Sequence, residues 1–210
     1  MSKAILISIN PKHVMNILNG KKTIELRKTY PHCALPIDVY IYCTKSNTQY
    51  LVGSKDKVCD ILTKRASDRF SPNIENYIGN GKVVAKFTLN HVNMDFLDNV
   101  LKPACVTRKE AEDYLEGRPC WQWGIDNLVI FDKPMSLWQF KTLKNAERYK
   151  RDLEQAYEDD YEIGTRLAEG IAEEYECANC VELTELSEGY YGLSRAPQSW
   201  CYVDVMEPLQ

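Results

Sequence analysis

Lys21, Lys22, Thr23, Glu25, Arg27 and Lys28 put four cations, one hydroxyl and a single carboxylate within eight positions. Cations at this density hold phosphate, and a lone carboxylate among them accepts a hydrogen bond from the exocyclic amine of a nucleobase. Lys22 and Glu25 are also the pair that acid–base catalysis would use, so both are the candidate catalytic residues. If residues 23–28 are extended, the period of two puts Thr23, Glu25 and Arg27 on one face and Ile24 and Leu26 on the other. One face is then core and the other polar equipment. The ordinary alternative is a solvated surface ion pair worth less than about 1 kcal/mol.

Aromatic walls for such a cleft are available in Tyr42, Trp121, Trp123 and Trp200, since a ring face stacks any base for roughly 1–3 kcal/mol. Trp200 is the ring expected to be exposed, because its strand face also carries Gln198 and Asp204. With Thr44, Gln198 and Ser199 as polar neighbours, the expected binding set is Lys21, Lys22, Thr23, Glu25, Arg27, Lys28, Tyr42, Thr44, Trp121, Gln198, Ser199 and Trp200. Cys177 and Cys180 have the spacing of half a zinc site, but no second Cys-x-x-Cys or His pair accompanies them, so neither metal nor cofactor is expected. His13, His32 and His91 sit in no motif and read as surface or capping residues.

The elements that must position these residues follow from periodicity. Residues 4–9 form an apolar, β-branched run read as a strand. Asn10-Pro11 supplies an N-cap and a first-turn proline for a short amphipathic helix packed by Val14, Met15 and Leu18, ending at Gly20. The strand from Thr23 follows with almost no loop, so helix end, turn and polar strand face lie close together. Residues 38–44 alternate, with Val39, Ile41 and Cys43 opposite Tyr40 and Tyr42. Residues 45–80 read as an elaborated loop with a short helix around 57–65, and 82–89 as a strand burying Val83, Ala85 and Phe87. A capping box at Thr107 to Glu110 opens a helix that closes at Gly117. Residues 119–131 read as one broken strand or a pair joined at 124–127, Ser136 caps a brief helix, and 198–205 alternate as a last strand.

The 210 residues, 44% hydrophobic and 27% charged, suit one globular domain with an appended insertion. No stretch approaches a membrane span and the apolar start is too short for a signal peptide, so a cytoplasmic protein with reduced cysteines is expected. The net charge of −4 hides an asymmetry: residues 152–188 hold thirteen acids against Arg166 alone, or −12, leaving +8 on the remainder. A basic body fits a polyanionic partner, and the acidic stretch is a solvated helix face or a surface for a protein partner.

Residues 4–11, the block Gly20-Lys21-Lys22-Thr23-Ile24-Glu25-Leu26-Arg27-Lys28, the strand at 39–44, residues 81–85 and the closing 197–202 together resemble an ASCH domain of the kind found in phages and prophages. The resemblance implies an α+β fold, a PUA-like mixed, largely antiparallel β-barrel with a few flanking helices. Residues 1–141 and 193–210 would form the domain and 142–192 an acidic helical insertion. It also implies RNA or a modified nucleoside as ligand, without a membrane. Some small members of the family are amidohydrolases that deacylate acetylcytidine with a Lys in the turn, a Thr early on the next strand and a later Glu. Lys22 matches the Lys; the Thr position falls on Glu25, and 82–89 contains no acid to supply the later Glu. A carboxylate does not replace a hydroxyl nucleophile. Hydrolysis of a nucleoside or RNA is therefore the alternative to binding, and a protein-binding adaptor acting through the acidic stretch is the third reading.

Overall fold

The computed structural model describes residues 2–54, 59–63, 70–72, 76–142, 193 and 195–205. Its first strand, β1 (Ser2–Ile9), ends where the Asn10 side chain accepts from Lys12 N and starts α1 (Pro11–Leu18). Val14, Ile17 and Leu18 are the buried face of α1, with Met15 half-buried. Gly20 then takes φ +69°, the left-handed conformation that lets the chain leave a helix without a Cβ clash. The amides of Lys21 and Lys22 both return to Asn16 O, at 2.8 and 3.0 Å, so the turn is tight.

Beyond it come β2 (Ile24–Arg27), β3 (Ile37–Cys43), β4 (Gln49–Ser54), β5 (Asp60–Thr63), β6 (Asn76–Ile78), β7 (Lys82–Leu89) and β8 (Val92–Met94). Two helices follow, α2 (Leu97–Val100) and α3 (Arg108–Leu115), the latter opened by the expected Thr107/Glu110 capping box. The chain continues through β9 (Trp121–Gly124), β10 (Asp126–Met135), a 3-10 turn (Leu137–Gln139), β11 (Phe140–Thr142) and β12 (Trp200–Val205).

The strands form three sheets, ordered β10-β7-β3-β1-β12-β11, β2-β9-β8 and β5-β4-β6. Every pairing among the described residues is antiparallel except β1 with β3. The fold is thus α+β, mixed and mostly antiparallel. Each sheet order is linear, and the closed barrel expected from the sequence is not found among these pairings.

The six-stranded sheet is apolar on both faces. Ile5, Ile7, Val39, Ile41 and Phe87 join Val14, Ile17 and Trp123 on one side, while Leu6, Tyr42, Val83, Phe140 and Val203 pack on the other. A smaller cluster fills the outer side of the second sheet, where Leu26 meets Val100, Ala104, Ala111 and Leu115. Two expectations are corrected here. Residues 45–80 are not one loop, because β4, β5 and β6 form a sheet there; β5 also occupies 60–63 of the expected 57–65 helix, Cys59 lies outside any element, and 57, 58, 64 and 65 lie outside the described set. Residues 119–131 do hold two strands, but β9 and β10 belong to different sheets, so the connection at Ile125 is a crossing between layers.

The 142–192 insertion, with its acidic charge, Cys177 and Cys180, lies almost wholly outside the described residues; at its borders Leu193 N donates to Phe140 O at 2.8 Å. No described helix is long and apolar enough to cross a membrane.

Gly20 has open space around it, so a substitution there is strained by its backbone alone. Gly20→Ala is expected to lower stability by about 1 kcal/mol in urea unfolding, with little change in the m-value.

A buried ionic cluster at the candidate ligand site

Strand β2 is packed on both faces. Ile24 and Leu26 face the α2–α3 cluster, as the alternation requires, and Glu25 and Arg27 face the other way. That second face is not solvent. Lys22, Glu25 and Arg27 are 3%, 7% and 5% exposed, which makes them three of the six buried polar residues among those described. The polar surface strand expected from the sequence is therefore an interior seam, with β2 pressed between the helices and the main sheet.

Glu25 is the centre of the seam. Its Oε1 is 2.9 Å from Arg27 Nη2 and its Oε2 is 3.2 Å from Lys22 Nζ. Lys22 Nζ also donates to Ala104 O at 2.6 Å, and Arg27 Nη2 donates to Ser8 O at 2.9 Å. Arg27 Nη1 reaches Ser199 Oγ at 3.4 Å, while Ser8 N donates to Ser199 O and Ser8 Oγ to Pro197 O. One guanidinium thus fastens β2 to the end of β1 and to the turn that leads into β12. The turn before β2 is strapped as well: Thr23 N donates to Pro103 O at 2.9 Å and Cys105 Sγ to Lys21 O at 3.2 Å.

The cluster is not fully satisfied. Glu25 Oε2 has the Lys22 ammonium at 3.2 Å as its ion-pair partner but no well-aligned hydrogen bond, and Arg27 Nε has no hydrogen-bond partner among the described residues. His13 of α1 is half-buried next to the cluster, and its Nδ1 is also buried without a partner. Burial pushes the Glu25 carboxyl up, but Arg27 and Lys22, helped by His13, outweigh it and hold the group below its usual range. Burial lowers His13, the charges of Lys22 and Lys12 lower it further, and Glu25 and Glu110 oppose them only in part. The triad carries a net charge of +1 with His13 neutral.

The remaining expected site residues divide. Lys21 and Thr23 are exposed at the turn beside the cluster. Lys28 is half-buried, 2.8 Å from Glu116 and 5.2 Å above the Tyr114 ring, so it pins α3. Ser199 touches Arg27, and Gln198 next to it is exposed. Trp200 is half-buried: its Nε1 donates to Thr29 Oγ1 at 3.0 Å and its ring meets Trp123 edge-on at 5.5 Å. Trp121 is half-buried against Tyr30, centroids 4.1 Å apart. Trp123 is wholly interior, with Nε1 3.3 Å from Thr29 O, and is no cleft wall.

Two expected residues stand apart from the cluster. Tyr42 is buried on the opposite face of the main sheet, among Leu6, Val83 and Phe140. Thr44 follows β3, donating its amide to Ile9 O and accepting from Asn80 at its carbonyl. Sequence reasoning missed Ser8, Thr29 and His13. The signal for His13 was its place one turn before Asn16, whose carbonyl receives the Lys21 and Lys22 amides.

No family model and no curated protein matches the sequence. Among solved structures, the chain is similar to ASCH from Zymomonas mobilis, at 18% identity and TM-score 0.42 over 64% of this chain and 73% of that one. A point mutant of the same protein matches at 18% identity and TM-score 0.44 over 65% and 77%. Both carry the name of the family that the sequence motifs resemble.

The cluster sets the response to acid. Glu25, depressed below 4.5, adds stability that is present above that value and lost as pH falls through its folded pKa. His13, depressed below 6.5, acts in the same direction, since the unfolded chain takes up its proton first. Glu25→Gln leaves two buried cations uncompensated and is expected to lower stability at pH 7 by about 3–5 kcal/mol. In urea titrations across pH 3–7 the variant should also show a flatter acid limb than the parent.

Proposed function

We propose that this chain is an ASCH domain protein of PUA-like type that binds RNA or a modified nucleoside, reading a base beside Glu25. The observation that carries the reading is a buried cluster of net positive charge that still has an acceptor and a donor without hydrogen bonds. Glu25 Oε2 only accepts and Arg27 Nε only donates, and these are the two roles that the N–H and the carbonyl or ring nitrogen of a base call for. Lys22 and Arg27 supply charge for the phosphate or the polarised carbonyl, while exposed Lys21 lies nearest to solvent for backbone contact. Contact with Oε2 requires the surrounding side chains to shift; the 197–199 turn, held to Ser8 and Arg27 by three polar contacts, borders the cluster and carries the exposed Gln198.

Binding is favoured over hydrolysis by what Lys22 does. Its Nζ is a donor to Ala104 O and a partner to Glu25, both roles of an ammonium group, and Glu25 is itself held by Arg27. Neither is a free base. The adaptor reading depends on residues 152–188, which lie outside the described residues.

The test is titration of fluorescent RNA and of acylated and plain cytidine. Affinity should fall with salt, and Lys21→Ala should weaken binding to all sequences equally and reduce the salt slope by about 1. Glu25→Gln, assayed at a urea-free pH where it remains folded, should relax discrimination between bases by about 1–3 kcal/mol. Turnover of the acylated nucleoside lost on Lys22→Ala would replace this reading by the hydrolytic one, and no binding to any of these ligands would end it.

A further inference from the structure

Arg27, Trp121 and Met94 occupy one row across the second sheet, because Arg27 pairs with Trp121 and Trp121 with Met94. Directly opposite residues of antiparallel strands share a face, so the row leads from the buried guanidinium to the sheet's outer edge. Trp121 carries Tyr30 on its ring at 4.1 Å, and Tyr30 carries His32 at 4.5 Å. Trp121 and Tyr30 are half-buried, His32 is exposed and Met94 is 63% exposed. The charged cluster therefore continues outward as a run of three touching rings with an apolar side chain beside it.

We propose that this run is a stacking subsite for the nucleotides that flank the base read at Glu25, so that the ligand is a single-stranded nucleic acid and not a free nucleoside. The inference rests on the proposed base-binding role of the cluster. Ring faces accept any base, and duplex ends aside, only an unpaired strand can offer its base faces to them. The path is directional. Phe96, beyond Met94, is 81% exposed, but Asp95 precedes it and, held below its usual range by its bonds to Asn99 and to the Phe96 amide, repels phosphate. The rings toward His32 present no acid at residues 29–33.

The experiment compares oligoribonucleotides of one, two, three and four residues by fluorescence anisotropy, for the parent and for His32→Ala/Met94→Ala. Both side chains are exposed, so the double variant is expected to fold as the parent does. The parent should bind the trimer at least about tenfold more tightly than the monomer, and the variant should lose most of that gain while its monomer affinity stays unchanged. Equal affinity at every length, or a length gain that survives in the variant, overturns the subsite and leaves the cluster's role standing. Binding at no length overturns the subsite, and if acylated cytidine also fails to bind it overturns the proposed function itself. A parent dimer that the variant converts to monomer in sedimentation, with RNA affinity unchanged, also overturns the subsite and assigns Met94 to contact between copies of the chain.

Discussion

A carboxylate taken out of water between two cations constrains everything around it. Glu25 cannot be displaced without leaving Lys22 and Arg27 facing each other in a medium that screens charge poorly, and the loss of either cation strips one carboxylate oxygen of its ionic partner. The positions of three separate pieces of chain follow. Lys22 is set by the Gly20 turn at the end of α1 and by Ala104 O in the loop before α3; Arg27 is set by Ser8 at the end of β1 and by Ser199 before β12. The second sheet is thus joined to the main sheet by an ionic seam as well as by the Trp123 ring, while its outer side is an ordinary apolar contact with α2 and α3. A buried ion pair of this kind often contributes little net stability, so its geometry carries more of its value in specifying one arrangement than in free energy.

The α1–turn–β2 unit was readable because its signals are local. Asn10, Pro11 and Gly20 each have a backbone reason to stand where they do, and the apolar residues between them keep helical spacing. The alternation in 38–44 also identified both faces of β3 correctly, since Val39, Ile41 and Cys43 pack on one side and Tyr40 and Tyr42 on the other. What alternation cannot say is whether a polar face meets water or another layer. Glu25 and Arg27 have the period expected of a solvated edge, and only the non-local contacts with Ser8 and Ser199 place them inside. The sheet within 45–80 was hidden for a different reason. In β4 only Leu51 and Gly53 are buried, and Gly53 serves by having no side chain: a Cβ there would run into the Tyr77 ring. Its pairing is further secured by the Asn80 side chain, which accepts from Leu51 N and donates to Gln49 O, a polar role that carries no hydrophobic signal.

The tryptophans show the same limit from the side of function. Trp121 and Trp123 are two residues apart on one strand and share a face, yet Trp123 is sealed in the core and Trp121 lies at its margin. Position along β9 decides this, because Trp123 sits opposite Glu25 in the middle of the seam and Trp121 opposite Arg27 at its end. Thr29 joins the outer and inner indoles, accepting from Trp123 with its carbonyl and from Trp200 with its hydroxyl. The aromatic residues therefore form a graded wall: interior where the carboxylate is, half-open where the guanidinium ends, and exposed at His32.

That gradient, combined with the charge of the seam, is what favours the proposed recognition over chemistry. Catalysis by Lys22 and Glu25 would need at least one of them to change protonation at a reacting atom, and the Glu25 carboxylate is held ionised by Arg27 and Lys22 while Lys22 Nζ is engaged by Ala104 O and Glu25. Recognition needs no such change. It needs a fixed acceptor, a fixed donor and residual positive potential, and the seam has Glu25 Oε2, Arg27 Nε and a net charge of +1. Groups left without hydrogen bonds in a buried site are destabilising unless a ligand completes them. In the proposed function a base edge would do so and recover that deficit on binding, and the same ionic lock that orders β2 would then be the source of selectivity for what docks against it.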